Sequence, residues 1–151
     1  MTHQVDSLDD AQPLGRHLAL LYAAFERELL SSLHRKPRFS SITTADHDVL
    51  RFIKSEGTTA TAIARLNGTT KQAVGKQIAS LEQRGFVVRE PHPDDARAYL
   101  IVFSSTGQAL VEEALRIVAR IEARYEAAAG RKEYTRIKHD LRTLLYTHGE
   151  P

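Results

Sequence analysis

The sequence has no cysteine among its 151 residues. This absence excludes disulfide bonds, metal sites with thiolate ligands and redox sensing through a thiol. No apolar run approaches the ~18 residues of a membrane-spanning helix, and no signal-peptide pattern opens the chain, so we expect a cytoplasmic protein without a membrane partner. The net charge at pH 7 is only +2. Such a charge permits nucleic-acid binding but does not argue for it, so the positions of the basic residues must decide.

The composition is otherwise ordinary for a soluble globular protein. Apolar residues make up 42% of the chain and charged residues 26%, and the length fits one domain with a substantial core. Residues 1–12 are polar and show no hydrophobic periodicity, so we predict a flexible N-terminal arm. Residues 13–151 are predicted to form the single domain.

Two short helical patterns joined by a tight turn lie in the middle of the chain. The first ends at Asn67 and Gly68, since glycine tolerates the positive φ of a tight helix exit. The second follows a threonine cap and runs from Lys71 to Arg84, with one apolar face and a polar, basic start. Two helices connected in this way are typical of a helix-turn-helix.

Two strand patterns come next. Residues 86–89 and 99–103 are rich in β-branched and aromatic side chains, as strands are. Between them, Pro91 and Pro93 remove backbone donors and fix φ, so this segment cannot be helical. We therefore predict a β-hairpin with a polar tip, which makes the unit a winged helix-turn-helix.

In their order and spacing these elements resemble the MarR (multiple antibiotic resistance regulator) family of winged-helix transcription factors. The matching segments are TAIARLNGTTKQAVGKQIASLEQRG, FVVRE, PDDARA and YLIVFSSTG. The resemblance implies a mainly α (α+β) fold. In it, a winged helix-turn-helix at 42–106 is joined to a helical dimerisation region at 13–36 and 107–148.

Two further helices are predicted before the helix-turn-helix. A pattern of leucines begins after Pro13 and continues for roughly twenty residues. A shorter helix, capped by Thr43 or Thr44, is expected to run to residues 55–57 and to pack beneath the helix-turn-helix. The resembled family has a short first strand at residues 56–58, where this sequence shows little strand signal.

Two more helices are predicted after the wing, one from Gln108 to a break at Gly130 and one ending near residues 148–149. Their apolar faces and that of the first helix exceed what a monomer of this size can cover. Together with the resemblance, this predicts a homodimer, the alternative being ordinary core helices. The predicted dimer contacts are Leu14, Leu18, Leu21, Ile137, Leu141, Leu144 and Leu145.

The polar start of the second helix of the helix-turn-helix suits the major groove of double-stranded DNA. Thr70 and Gln72 can read base edges, and Lys71 and Lys76 can contact phosphate or guanine, although a solvated helix face would look the same in isolation. The resemblance implies that Arg97 of the wing enters the minor groove. Asp95 either aims its guanidinium or opposes it. The predicted DNA contacts are Thr69, Thr70, Lys71, Gln72, Gly75, Lys76, Asp95 and Arg97.

These features predict a transcriptional regulator, namely a repressor that binds an inverted-repeat operator as a homodimer and is released by a small-molecule ligand. The resemblance implies a small aromatic or phenolic acid, or another lipophilic compound, between the helical layer and the winged helices. Candidate pocket residues are His17, Tyr22, His47 and Phe52, for which plain packing is the alternative. An architectural DNA-binding module, or a module that binds another protein, remains the second hypothesis for the function.

Catalysis and metal binding have weaker support. His92, Asp94 and Asp95 lie close together, but the neighbouring prolines place them on an exposed hairpin tip without a rigid surrounding to tune their pKa values. The seven histidines are scattered along the chain, without the close spacing of a zinc site. We therefore expect no enzymatic activity, no cofactor and no metal.

Overall fold

The computed structural model describes residues 12–148, so the predicted arm lies almost wholly outside the described residues. The helices are α1 (Leu14–His34), α2 (Thr44–Leu50), α3 (Ala60–Leu66), α4 (Lys71–Gln83), α5 (Ser105–Ala129) and α6 (Arg131–Tyr146), with a 3-10 turn at Pro37–Phe39. The strands are β1 (Thr58–Thr59), β2 (Val87–Pro91) and β3 (Tyr99–Phe103). This is the predicted mainly α fold with a winged helix-turn-helix.

The three strands form one antiparallel sheet in the order β1-β3-β2. The wing hairpin pairs Arg89 with Ile101 and extends to the pair Pro91 and Tyr99, so β2 runs two residues further than predicted. The short first strand that the resemblance implies near residue 58 forms as β1 by pairing with β3, although the sequence shows little strand signal there. A two-residue strand is too short to carry an alternating pattern, so the sequence could not reveal it.

Helix α2 begins as predicted and ends earlier than predicted. Thr43 caps it reciprocally with Asp46, whose main-chain amide donates to the threonine hydroxyl at 3.2 Å. The predicted end at residues 55–57 was wrong, since α2 stops at Leu50. Beyond it, the hydroxyl of Thr58 accepts from the amide of Lys54 at 2.9 Å and donates to the carbonyl of Phe52 at 3.0 Å. These bonds satisfy main-chain groups that a continuing helix would have used.

The helix-turn-helix forms as the sequence indicated. Gly68 leaves α3 with a φ of +62°, and the hydroxyl of Thr70 accepts from the amide of Ala73 to cap α4. The apolar face of α4, formed by Val74, Ile78 and Leu81, is buried in the core. The helix therefore packs on one side and leaves its polar side free.

Helix α5 begins at Ser105, three residues before the predicted start, because the hydroxyl of Ser104 accepts from the amide of Gly107 at 3.0 Å. Gly107 lies so close to the wing that a Cβ there would come within 2.0 Å of the Phe86 carbonyl oxygen. This contact fixes the position of the wing at the base of α5. Gly130, with a φ of +88°, ends α5 as predicted.

One apolar core lies between α1, α5 and the winged unit. It includes the C-terminal half of α1 and the inner faces of α4 and α5. The N-terminal half of α1 and the whole of α6 contribute no fully buried residue. No helix among residues 12–148 is long and apolar enough to cross a membrane.

Candidate nucleic-acid interface and effector cavity

The polar side of α4 is exposed at its N-terminal end. Lys71, Gln72 and Lys76 are all exposed, whereas Gly75 is partly covered. A Cβ added at Gly75 would meet no atom within 4 Å, so the glycine leaves open space on this side of the helix. The long hydrogen-bond donors and the open space at Gly75 therefore lie on the same side of the helix. This arrangement suits close approach to a duplex.

The tip of the wing is held by its own main chain. The amide of His92 donates to the Ala98 carbonyl at 3.1 Å, and the amide of Arg97 donates to Oδ1 of Asp95 at 2.9 Å. Asp95 thus contacts the main chain of Arg97 rather than its guanidinium. Among the ion pairs of residues 12–148, none involves the Arg97 side chain. The carboxylate shapes the turn that carries Arg97.

The wing and α4 border the same cleft, which has a volume of about 500 Å³. Lys71 from α4 and Arg97 from the wing both line it. Thr61 at the start of α3 and Tyr99 at the start of β3 line it as well, and Tyr99 is 54% exposed. Neither residue could be recognised from the sequence, because an isolated threonine and a strand tyrosine look like ordinary structural positions.

A buried carboxylate fixes the position of α4. Asp46 of α2 accepts five hydrogen bonds, two from Thr43, one from Gln77 and two from Arg84. Burial alone would raise the pKa of Asp46, but the hydrogen bonds from Arg84, Thr43 and Gln77 outweigh it and hold the pKa below its ordinary value. Asp46 therefore stays charged and ties α2 to the middle and end of α4.

An apolar cavity of about 280 Å³ lies between α1, α2 and α5. Its walls are mostly apolar, with Leu29, Leu50 and Leu110 representing the three helices. Among the described residues that line it, His47 and Arg51 are the polar ones, and both belong to α2 or its C-terminal cap. A mostly apolar cavity with a few grouped polar side chains is typical of a small-molecule site.

Of the four candidate pocket residues, His47 is the one that lines this cavity, and its Nδ1 lies 2.7 Å from Oε1 of Glu26 in α1. Tyr22 and Phe52 lie beside it, each with the guanidinium of Arg51 over its ring, at 5.2 and 4.8 Å from the centroids. His17 lies in the first turn of α1, where its ring nitrogen contacts the Pro13 carbonyl at 3.3 Å. The structure thus brings three of the four together and leaves His17 apart.

The predicted dimer contacts are large apolar side chains of α1 and α6. Six of them are between 39% and 60% exposed, and Leu141 is partly buried. A groove of about 290 Å³ runs between α1, α5 and α6, lined by Leu18, Leu21, Ile137 and Leu141 among others. A monomer rarely leaves so many large apolar side chains together in water.

The residues considered for catalysis and for metal binding do not form a cluster among residues 12–148. His92, Asp94 and Asp95 lie on the wing tip, with the carboxylates exposed. Within residues 12–148, no group of three or more histidine, aspartate or glutamate side chains is placed to hold a metal ion.

The profile of the MarR family matches residues 40–98. An uncharacterized HTH-type (helix-turn-helix) transcriptional regulator of Mycobacterium leprae is 34% identical over 110 residues, which cover 72% of this chain and 74% of that protein.

Solved structures share the fold. The transcriptional repressor CouR, bound to a 23-mer DNA duplex, superposes with a TM-score of 0.67 and 26% identity, covering 87% of this chain and 92% of that chain. The reduced form of MarR from E. coli superposes with a TM-score of 0.72 and 23% identity, covering 91% and 99% of the two chains.

Proposed function

Since the chain belongs to the MarR family of helix-turn-helix transcriptional regulators, we propose that it is a homodimeric repressor, released from an inverted-repeat operator by a small lipophilic acid. Its place of action would be the cytoplasm. The observation that carries the proposal is the cleft shared by Lys71 of α4 and Arg97 of the wing. A cleft with cations on both walls suits a duplex whose backbone passes between them.

In this proposal α4 enters the major groove. Thr70 and Gln72 read base edges, while Thr69, Lys71 and Lys76 hold the backbone, and Gly75 allows close approach. Arg97 enters the adjacent minor groove, where a narrow groove concentrates negative potential. Asp95 supports this contact by bonding the Arg97 amide at 2.9 Å, which fixes the turn and leaves the guanidinium free to reach DNA.

The dimer would form through residues 13–36 and 107–148. The exposed leucines and isoleucine of α1 and α6 give each protomer a matching apolar surface, as a twofold interface requires. Two copies of α4 related by a twofold axis would then meet successive major grooves about 34–36 Å apart. This spacing is what makes an inverted repeat the expected operator.

The effector would occupy the cavity between α1, α2 and α5. Its apolar walls suit an aromatic body, and His47 and Arg51 suit an acidic or phenolic end. The cavity lies between helices of the proposed dimer layer and a helix of the winged unit. An occupant can therefore favour one position of the winged unit relative to the dimer layer over another. Only a difference in its affinity for the two arrangements would release DNA.

Selection of binding sites from random duplex DNA at two salt concentrations tests the proposal. We expect recovery of an inverted repeat with half-sites about one helical turn apart. If no motif is recovered and binding disappears as salt rises, only phosphate contacts operate. The architectural DNA-binding function would then replace the one proposed.

A further inference from the structure

Arg51 lies where the effector cavity, the dimer layer and the helix-turn-helix meet. Arg51 is one of the residues that line the cavity. Its guanidinium donates to the hydroxyl of Tyr22 in α1 and lies 3.1 Å from the carboxylate of Asp48 in α2. Its Nη2 also donates to Oδ1 of Asn67 at 3.2 Å. One side chain thus contacts three separate parts of the molecule.

Asn67 occupies a sensitive position. It is the C-cap of α3, followed by Gly68 in the left-handed conformation and, two residues later, by the Thr70 cap of α4. The bond from Arg51 therefore holds the turn that leads into the DNA-reading helix. Its acceptor is a neutral amide, which is a weaker electrostatic partner of the guanidinium than the Asp48 carboxylate.

We propose that Arg51 couples the cavity to DNA binding: an anionic aromatic occupant takes the guanidinium away from Asn67 and so frees the turn between α3 and α4. The inference rests on the proposed effector function and adds the residue that transmits it. A carboxylate in the cavity forms a charge-assisted, two-pronged pair with an arginine, which is stronger than a single bond to an amide. The guanidinium has a fixed fork of donors, so it cannot turn toward the cavity and keep its bond to Asn67.

Both polar residues of the cavity have an acidic neighbour, Glu26 beside His47 and Asp48 beside Arg51, but a guanidinium has more N–H donors to offer an anion than an imidazole has. The imidazole of His47 is already bonded to Glu26, whose carboxylate repels a second anion at that end of the cavity. The rings of Tyr22 and Phe52 flank the guanidinium, whose terminal nitrogens already contact Tyr22, Asp48 and Asn67, so an anion that takes two of its N–H groups replaces one of these partners. Burial raises the pKa of the Tyr22 hydroxyl even though the Arg51 charge opposes this, so Tyr22 stays neutral and does not compete as an anion.

The test uses naphthalene-2-carboxylate as the probe and its neutral carboxamide as the matched control. The affinity of the full-length protein for its selected operator is measured by fluorescence anisotropy with and without saturating probe. We expect the carboxylate to weaken operator binding at least about fivefold and the carboxamide to have a smaller effect. By reciprocity, the operator should weaken carboxylate binding by the same factor.

Three variants locate the effect. Asn67→Ala should bind the carboxylate at least as tightly as the wild type, since no bond to Asn67 has to break, but lose the coupling, with operator affinity changed less than about twofold by the probe. Gln83→Ala, which removes an exposed amide at the far end of α4, should keep the full coupling. Ala114→Leu, which fills the cavity from α5, should weaken binding of the carboxylate itself.

The outcomes separate this inference from the function on which it rests. Unchanged coupling in Asn67→Ala, with normal probe binding, overturns the role of Arg51 and leaves the effector function standing. Probe binding that Ala114→Leu does not affect, or a wild type that binds no probe, overturns both the cavity as effector site and the coupling. Operator affinity without probe is recorded in every case, so a loss of DNA binding itself is recognised separately.

Discussion

Arg84, which caps the C-terminal end of α4, donates hydrogen bonds from both terminal nitrogens to the buried carboxylate of Asp46 at the start of α2. The same guanidinium also donates to the carbonyl of Ser41 at 3.1 Å. Helix α4 is thus anchored at its C-terminal end to α2, although α3 lies between the two in the sequence.

Replacing Asp46 by asparagine should lower the free energy of unfolding by about 3 kcal/mol, because Arg84 then loses its counterion in a mostly buried position. Urea unfolding followed by circular dichroism measures the change. Asp140→Asn, which removes an exposed carboxylate paired with Arg136 on α6, is the control and should leave the midpoint unchanged. An equal midpoint for both variants would show that the buried pair does not hold α2 to α4.

The contribution of Asp46 should depend on pH in one direction. Its folded-state pKa lies below the ordinary value of 3.8, so the folded protein holds the carboxylate charged where the unfolded chain would protonate it. The stabilisation is therefore fully present above about pH 5 and is lost as pH falls below the ordinary value toward the folded pKa. Urea unfolding of the wild type and of Asp46→Asn is measured between pH 3 and 7 in steps of about one pH unit. The difference between their free energies of unfolding should shrink only at the acidic end. A difference that grew on acidification would contradict the assignment.

Lys76→Ala should weaken binding to every DNA sequence and reduce the slope of log K against log salt by about 0.9, which corresponds to one lost phosphate contact. Titrations of operator and unrelated duplex over a range of salt concentrations give both slopes. Lys132→Ala on α6 removes an exposed lysine far along the chain from α4 and should leave both slopes unchanged. An unchanged slope for Lys76→Ala would remove this residue from the phosphate contacts.

Leu18→Asp or Leu141→Asp should produce monomers that bind the operator poorly, because each places a charge in the proposed apolar interface. Sedimentation equilibrium gives the mass of each variant. Val88→Asp, on an exposed position of the wing strand β2, is the matched control and should remain dimeric. If both leucine variants stay dimeric, the interface lies elsewhere on the molecule.

The helix-turn-helix could be predicted from the sequence because its determinants are local. A threonine hydroxyl bonds an amide three residues away, and Gly68 permits a positive φ whatever surrounds it. The apolar face of α4 repeats with the period of the helix, so its buried side could be identified before any packing was known. These signals lie within one or two turns of chain.

Other features depend on residues far apart in sequence. The chain after α2 is held by hydrogen bonds to the hydroxyl of Thr58, and no sequence pattern near Leu50 indicates that the helix ends there. Asp46 and Arg84 are 38 positions apart, and each alone resembles an ordinary charged residue at a helix end. Arg51 was missed for the same reason, since a cavity formed by α1, α2 and α5 exists only after the helices have packed.

The most direct test of the central claim is the dependence of binding on the distance between half-sites. Operator affinity is compared for the selected inverted repeat and for the same half-sites separated by about 5 additional base pairs, half a helical turn. A dimer whose two α4 helices face one side of the duplex predicts a loss of affinity of roughly 100-fold or more, since one half-site then faces away. Equal affinity for the two duplexes would contradict a twofold dimer that reads both half-sites together.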